Sequence, residues 1–281
     1  MKVMSFSHAG RASWGVVTGT GVIDMGRLLP QFPTLRAALA GDALAEVAKR
    51  ATGRAADFAL ADVAFLPTIP DPDKIICIGL NYELHRQETG AQKPPNPMIF
   101  ARYTNSQVGH GGVMLRPKVS ERFDWEGELA VIIGTAGRYI DKDKALNHVA
   151  GYACYNDGSI RDFQRHTTQF HPGKNFPGTG AFGPWMTTAD EIPDPSKLVL
   201  TTRVNGVQMQ HSGTDDLIYD VPTLIAYCSQ WTRLEPGDVI VTGTPSGVGL
   251  ARNPQVWMKH GDTVEVEISK IGILKNPVLD E

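Results

Sequence analysis

From Ile75 to the C-terminus the chain is built of short apolar or β-branched runs, at residues 75–78, 129–133, 149–155, 198–204, 239–241 and 264–268, each bounded by Gly, Pro, Asn or Asp. Runs of that length between turn formers predict strands. Asn205-Gly206, between residues 198–204 and 207–210, predicts a hairpin, because a type I′ turn needs positive φ at both central positions. One helix stands out at 222–231, with Pro222 in its first turn, where a missing N–H costs little. Upstream, strands are expected at 1–6, 14–18 and 22–24, around the turn Gly19-Thr20-Gly21. Leu35, Leu39, Leu44 and Val47 fall near helical spacing and predict a helix over 34–50. The proline-rich segment PTIPDPDK, 67–74, reads as a stiff connector. The pattern predicts an α+β chain, mostly β, with a small N-terminal α/β domain at 1–67. A larger mixed-sheet domain with short attached helices follows at 68–281.

Composition narrows the classes. With 42% hydrophobic and 20% charged residues, the chain is an ordinary globular one with a sizeable core. A formal net charge of −3 lacks the basic footprint of a nucleic-acid binder. No apolar run approaches the ~20 residues that span a bilayer, and the opening residues contain no apolar signal segment. Cys77, Cys154 and Cys228 are odd in number and far apart, which favours a reducing compartment. The expectation is a cytoplasmic protein that binds neither membrane nor nucleic acid.

The richest chemistry lies in FDWEGELAVIIG, 123–134. It runs into a strand, where residues two apart share a face at a separation of ~6.7 Å, so Glu126 and Glu128 project together. A paired set of carboxylates repels itself unless a cation or proton lies between them. A solvated pair on a strand edge is the plain alternative, but the following run is apolar on both faces, as a buried strand requires. Asp157 stands where the apolar strand 151–155 runs out into Asn-Asp-Gly, a place for a ligand or for an Asx-turn. Three acids without cysteine or histidine spacing would favour a hard ion, Mg²⁺ or Mn²⁺, over Zn²⁺.

In GLNYELHRQETG, 79–90, His85 and Glu88 lie three apart on a short helix and can touch. Such a carboxylate orients an imidazole to take a proton, although a surface His–Glu pair would look the same. Lys174 sits in a Gly/Pro-rich loop and by itself reads as a solvated lysine. PGDVIVTGTPSGVG, 236–249, is a strand emptying into a Gly/Thr/Ser loop whose N–H groups can approach an anion, or which is a plain multi-turn connection. GTGAFG, 178–183, matches the dinucleotide-binding glycine pattern, but flanking Pro177 and Pro184 and the lack of a βαβ context reject it. His110, His166 and His171 are too irregularly spaced for a zinc site, and there is no G-x-S-x-G elbow.

In this order, over residues 79–249, these segments, together with GK at 173–174, FGP at 182–184 and VNG at 204–206, resemble the fumarylacetoacetate hydrolase family. The resemblance, to its acylpyruvase and 2-hydroxyhepta-2,4-diene-1,7-dioate isomerase-like branch, covers about residues 70–281. It implies a mixed-β, partly open barrel-like core, a divalent-metal site, usually a homodimer, and chemistry on a small-molecule oxo acid. By position, Glu126, Glu128 and Asp157 match the family's metal ligands, and His85 and Glu88 its water-activating lid dyad. Arg161, Gln164, Lys174 and Thr244 match positions that hold the oxo-acid head and the developing oxyanion. Arg102 replaces a frequent lysine and 177–183 replaces acidic and aromatic residues; both departures are expected near the substrate's variable tail. The leading expectation is a metal-dependent hydrolase that cleaves a C–C bond of an acylpyruvate, with Lys174 stabilising charge on oxygen. The same metal-binding residues serve an oxaloacetate-type decarboxylase or a diene-dioate isomerase or tautomerase, and a non-catalytic metal-binding β module is the remote alternative. Residues 82–90 are expected to form a loosely held lid, with His85 mobile or away from the carboxylates until an oxo acid binds.

Overall fold

The structure is a computed structural model that describes residues 1–281. Its frame is a mixed sheet of twelve strands facing a second sheet of five. The large sheet runs, along its main path, Phe58–Ala59, Gly21–Asp24, Arg11–Thr18, Lys2–His8, Gly180–Thr188, Val149–Asn156, Gly127–Ile133, Val239–Val241, Ile75–Gly79 and Met98–Arg102. Most neighbours are antiparallel, but Val239–Val241 and Ile75–Gly79 are parallel. The smaller sheet holds Val207–Gly213, Val199–Val204, Thr263–Ile268, Gly272–Asp280 and Met114–Arg116. Each sheet keeps two edge strands, so the expected barrel-like core is an open, two-sheet stack.

Strand Gly127–Ile133 shows why its run is apolar throughout. Leu129, Val131 and Ile133 enter a core of 32 buried residues that includes Leu200, Val264 and Val266 of the smaller sheet. Ala130 and Ile132, on the opposite face, enter a second core of 23 residues with Leu35, Leu39 and Val47. A strand covered on both faces cannot alternate polar and apolar positions. The sheets approach closely at Gly127, where an added Cβ would stand 2.1 Å from the Thr202 hydroxyl.

The N-terminal strands extend this same sheet, since Lys2 pairs with Thr187 and Val3 with Met186. The single helix expected over 34–50 is two, Leu35–Ala40 and Leu44–Ala51. Thr34 caps the first through the Ala37 N–H, and Asp42 at φ 50° breaks the run, a conformation that short polar side chains tolerate. Asn205 and Gly206 adopt φ 51° and 78° in the expected hairpin. Helix Val221–Trp231 starts one residue before Pro222, capped by Asp220. Residues 180–188 form a strand, which removes the dinucleotide pattern from consideration. No helix is long and apolar enough to cross a membrane.

Candidate active site

Topology gathers the site at one end of the large sheet. Val149–Asn156 and Val239–Val241 both run antiparallel to Gly127–Ile133, so their C-terminal ends meet its start. Ile75–Gly79, parallel to Val239–Val241, delivers its following helix Glu83–Thr89 to the same end. Glu126 immediately precedes Gly127–Ile133, Glu128 is its second residue, and Asp157 follows Asn156, which pairs with Gly127. The Asp157 N–H donates to the Glu126 carbonyl at 2.8 Å and ties the two ends together. Carboxylate oxygens of Glu126, Glu128 and Asp157 therefore lie within 4.8 Å of one another, all buried.

The charges around them do not balance. Glu126 faces Arg161 Nη1 and Lys174 Nζ, each at 2.6 Å. Asp157 faces Lys174 Nζ at 2.6 Å and Arg102 Nη1 at 2.5 Å. Asp124, also buried, accepts from Arg161 Nε at 2.8 Å. Glu128 has no cation and accepts only the Gly243 N–H at 2.5 Å. Burial, then the negative charges of Asp157 and Glu126, push its carboxyl well above the usual range. Glu126 goes the other way: burial raises it, but Arg161 and Lys174 outweigh that and hold it at about 2. Four buried carboxylates thus face three cations, Arg102, Arg161 and Lys174. Glu128 is the one without a counter-charge, and a hard divalent cation in place of its proton fits the three converging oxygen donors.

The pocket over this centre has a volume of about 460 Å³, and His85, Glu88, Arg161, Gln164, Lys174 and Thr244 all line it. His85 Nδ1 lies 3.0 Å from Glu88 Oε2. A carboxylate only accepts, so Nδ1 carries the proton and Nε2 is left free. The structure places His85 against the carboxylate pocket rather than away from it: His85 is 6% exposed, and the Gly247 N–H donates to both oxygens of Glu88, at 3.0 and 3.3 Å. The segment 82–90 thus lies over the carboxylates, tied to the 243–250 loop through Glu88.

Arg161 spends Nε on Asp124 and Nη1 on Glu126 and Gln164 Oε1, while its Nη2 is buried without a partner. Such an orphaned donor is costly unless a ligand oxygen meets it. Gln164 keeps its amide N–H₂ free of protein acceptors. Thr244 is more committed, since its hydroxyl donates to the Gly127 carbonyl at 3.0 Å and accepts from Gln210 at 2.8 Å. Lys174 is a buried, doubly ion-paired group: burial lowers its pKa, but Asp157 and Glu126 more than restore it, so it stays an ammonium.

Three features differ from the reading of the sequence. The N–H groups of the 243–250 loop do meet anions, but these are the protein's own carboxylates: Glu128 at Gly243, Glu88 at Gly247, and Asp124 at Gly249 and Leu250. Arg102 lies behind Asp157 rather than near a substrate tail, and also bonds the Gly158 carbonyl and the Thr179 hydroxyl. The Gly-rich 178–180 stretch goes with it, since a Cβ at Gly180 would approach Arg102 Nη2 to 2.8 Å. Asp124 is a site residue that the sequence marks only by its place two residues before Glu126.

Comparison with known proteins identifies the family of the chain. The sequence profile described as Fumarylacetoacetate (FAA) hydrolase C-terminal matches residues 74–279. The chain is 39% identical over 267 residues to the mitochondrial oxaloacetate tautomerase Fahd2a of Rattus norvegicus, covering 93% of this chain and 85% of that one. The fumarylacetoacetate hydrolase of Exiguobacterium antarcticum superposes with a TM-score of 0.87 at 35% identity, over 100% of both chains. A maleylpyruvate hydrolase from Sphingobium sp. SYK-6, solved with manganese(II) and pyruvate, superposes at 0.83 with 28% identity, covering 100% of this chain and 99% of that one. With the acidic triad, the His–Glu pair and these matches in one frame, the chain belongs to the fumarylacetoacetate hydrolase family.

Proposed function

We propose that the protein is a divalent-metal-dependent tautomerase of oxaloacetate-type 2-oxo acids, which moves a proton between the enol oxygen and C3. The observation that carries this is His85, buried on the wall of the carboxylate pocket with Nδ1 tied to Glu88 and Nε2 free. The likeness to an oxaloacetate tautomerase across most of both chains supports it. A cation held by Glu126, Glu128 and Asp157, Mg²⁺ or Mn²⁺ for an all-oxygen donor set, would polarise the 2-oxo oxygen as a Lewis acid. Arg161 Nη2 and the Gln164 amide hold the adjacent carboxylate, which satisfies the orphaned donor. Lys174, fixed as an ammonium, opposes negative charge on the substrate's oxygen. His85 Nε2 takes the enol proton and returns one to C3, with Glu88 stabilising the imidazolium in between. No water enters this scheme.

Hydrolysis of a C–C bond in an acylpyruvate is the second reading. It is favoured by a pocket roomier than a four-carbon acid needs, and by the likeness to a maleylpyruvate hydrolase. There the same His85 would take its proton from water. Ketonisation of enol-oxaloacetate, followed by ultraviolet absorbance with Mg²⁺ or Mn²⁺, separates the two when run beside pyruvate release from acylpyruvates. Tautomerisation should be metal-dependent and abolished by EDTA. His85→Ala should slow it by roughly 10²–10⁴-fold with metal affinity by calorimetry nearly unchanged. Acylpyruvate cleavage without accelerated ketonisation would reverse the order of the two readings, and neither activity would dismiss both.

A further inference from the structure

The pocket has a buried floor, formed by Glu126, Glu128, Arg161 and Lys174, and an exposed rim that includes Arg165 and Gln255. Arg165 is the one basic residue of the lining whose guanidinium makes no ion pair or hydrogen bond to the protein, whereas Arg161 and Lys174 are both engaged. Its backbone is fixed, because its N–H caps the short helix Arg161–Gln164 on the Asp162 carbonyl. Asp162, the nearest acid in sequence, turns its carboxylate to the Ser120 hydroxyl and the Phe163 N–H instead. A free cation is therefore held at the pocket mouth, one helical turn beyond Arg161.

The buried basic groups are already engaged: Arg161 with Asp124 and Glu126, Lys174 with Glu126 and Asp157, and Arg102 with Asp157. Of the basic groups at the pocket, Arg165 alone is left for a second anionic group. Between floor and rim the wall includes Phe100, Phe170 and Leu250, which suit a hydrocarbon spacer. At about 460 Å³ the pocket is of the size that takes a small organic ligand, and is larger than a four-carbon diacid fills.

We propose that Arg165 pairs with the distal carboxylate of the substrate, so that the pocket selects 2-oxo dicarboxylic acids over the matching monocarboxylic ones. This rests on the 2-oxo acid reading of the floor. A planar guanidinium takes a carboxylate in a two-pronged, charge-assisted bond, and the apolar wall beside it limits screening.

The test is calorimetric binding to the Mg²⁺-loaded protein of three matched pairs: oxaloacetate with 2-oxobutanoate, 2-oxoglutarate with 2-oxopentanoate, and 2-oxoadipate with 2-oxohexanoate. At least one diacid should bind about 5–30-fold more tightly than its partner, and the chain length of greatest preference reports the reach to Arg165. Arg165→Gln should collapse that ratio towards one, and Arg165→Lys should retain part of it. No preference in the parent protein, or a ratio unchanged in Arg165→Gln, overturns the proposal. Ketonisation with an unchanged ratio would remove Arg165 alone. A ratio that collapses in a protein without turnover would uphold Arg165 and dismiss the tautomerase.

Discussion

Asp124→Asn is the sharpest probe of how the site is held. The Asp124 side chain is fully buried and accepts the Gly249 N–H at 2.7 Å, the Leu250 N–H at 2.9 Å and Arg161 Nε at 2.8 Å. Asparagine keeps the volume but has one acceptor oxygen. Its better orientation keeps oxygen towards Leu250 and Arg161 and turns NH₂ towards Gly249, where two donors then face each other. The orphaned buried N–H costs about 1–3 kcal/mol, and the other two bonds lose their charge assistance. Removing one partner of a buried ion pair typically costs about 3–5 kcal/mol. Burial, however, lifts the Asp124 carboxyl above its usual range despite Arg161, so the charged form is itself expensive. That places the loss near the lower limit, about 3 kcal/mol. For a chain of this length the melting temperature should fall by about 5 °C in differential scanning calorimetry. Because Arg161 loses its Nε anchor, oxo-acid affinity should fall in the same variant. A shift under 2 °C with unchanged oxo-acid binding would refute Asp124 as the tie between the glycine loop and the substrate clamp.

Two further outcomes follow from the same geometry. Glu128's raised carboxyl keeps its proton above the ordinary 4.5, so its contribution to stability is full below that pH and is lost as pH rises through the elevated value. A cation needs the carboxylate, so binding should release a proton and tighten with pH across that window; calorimetry in two buffers of different ionisation enthalpy measures it, and no proton release would contradict the assignment. Gly247→Ala forces a side chain onto φ 100° and places Cβ 2.1 Å from the Met209 carbonyl, beside the N–H that anchors Glu88. Backbone strain alone should cost about 1–3 kcal/mol. Residues 83–89 should become cleavable by protease, and full protection of them would show that the lid is held by something else.

What the sequence determined by itself is what backbone geometry fixes over a few residues. The period of two in a strand puts Glu126 and Glu128 on one side. Three residues on a helix bring His85 to Glu88, and Asn205-Gly206 makes its turn wherever the hairpin packs. The unbroken apolar run at 129–133 announced a strand buried on both faces, since hydrophobic burial leaves its mark on composition before any partner is known. The tertiary structure decided which charges meet. Arg102 reaches Asp157 across 55 positions, Asp124 reaches Gly249 across 125, and Glu88 reaches Gly247 across 159. No local pattern encodes these pairs, because a carboxylate or a glycine N–H looks the same beside any partner. Sheet order decides the pairing by bringing the ends of four strands together. The same long-range packing attached the N-terminal strands to Gly180–Thr188 and tied the segment 82–90 to the 243–250 loop. Spacing is a property of the chain, whereas the balance of buried charge belongs only to the folded whole.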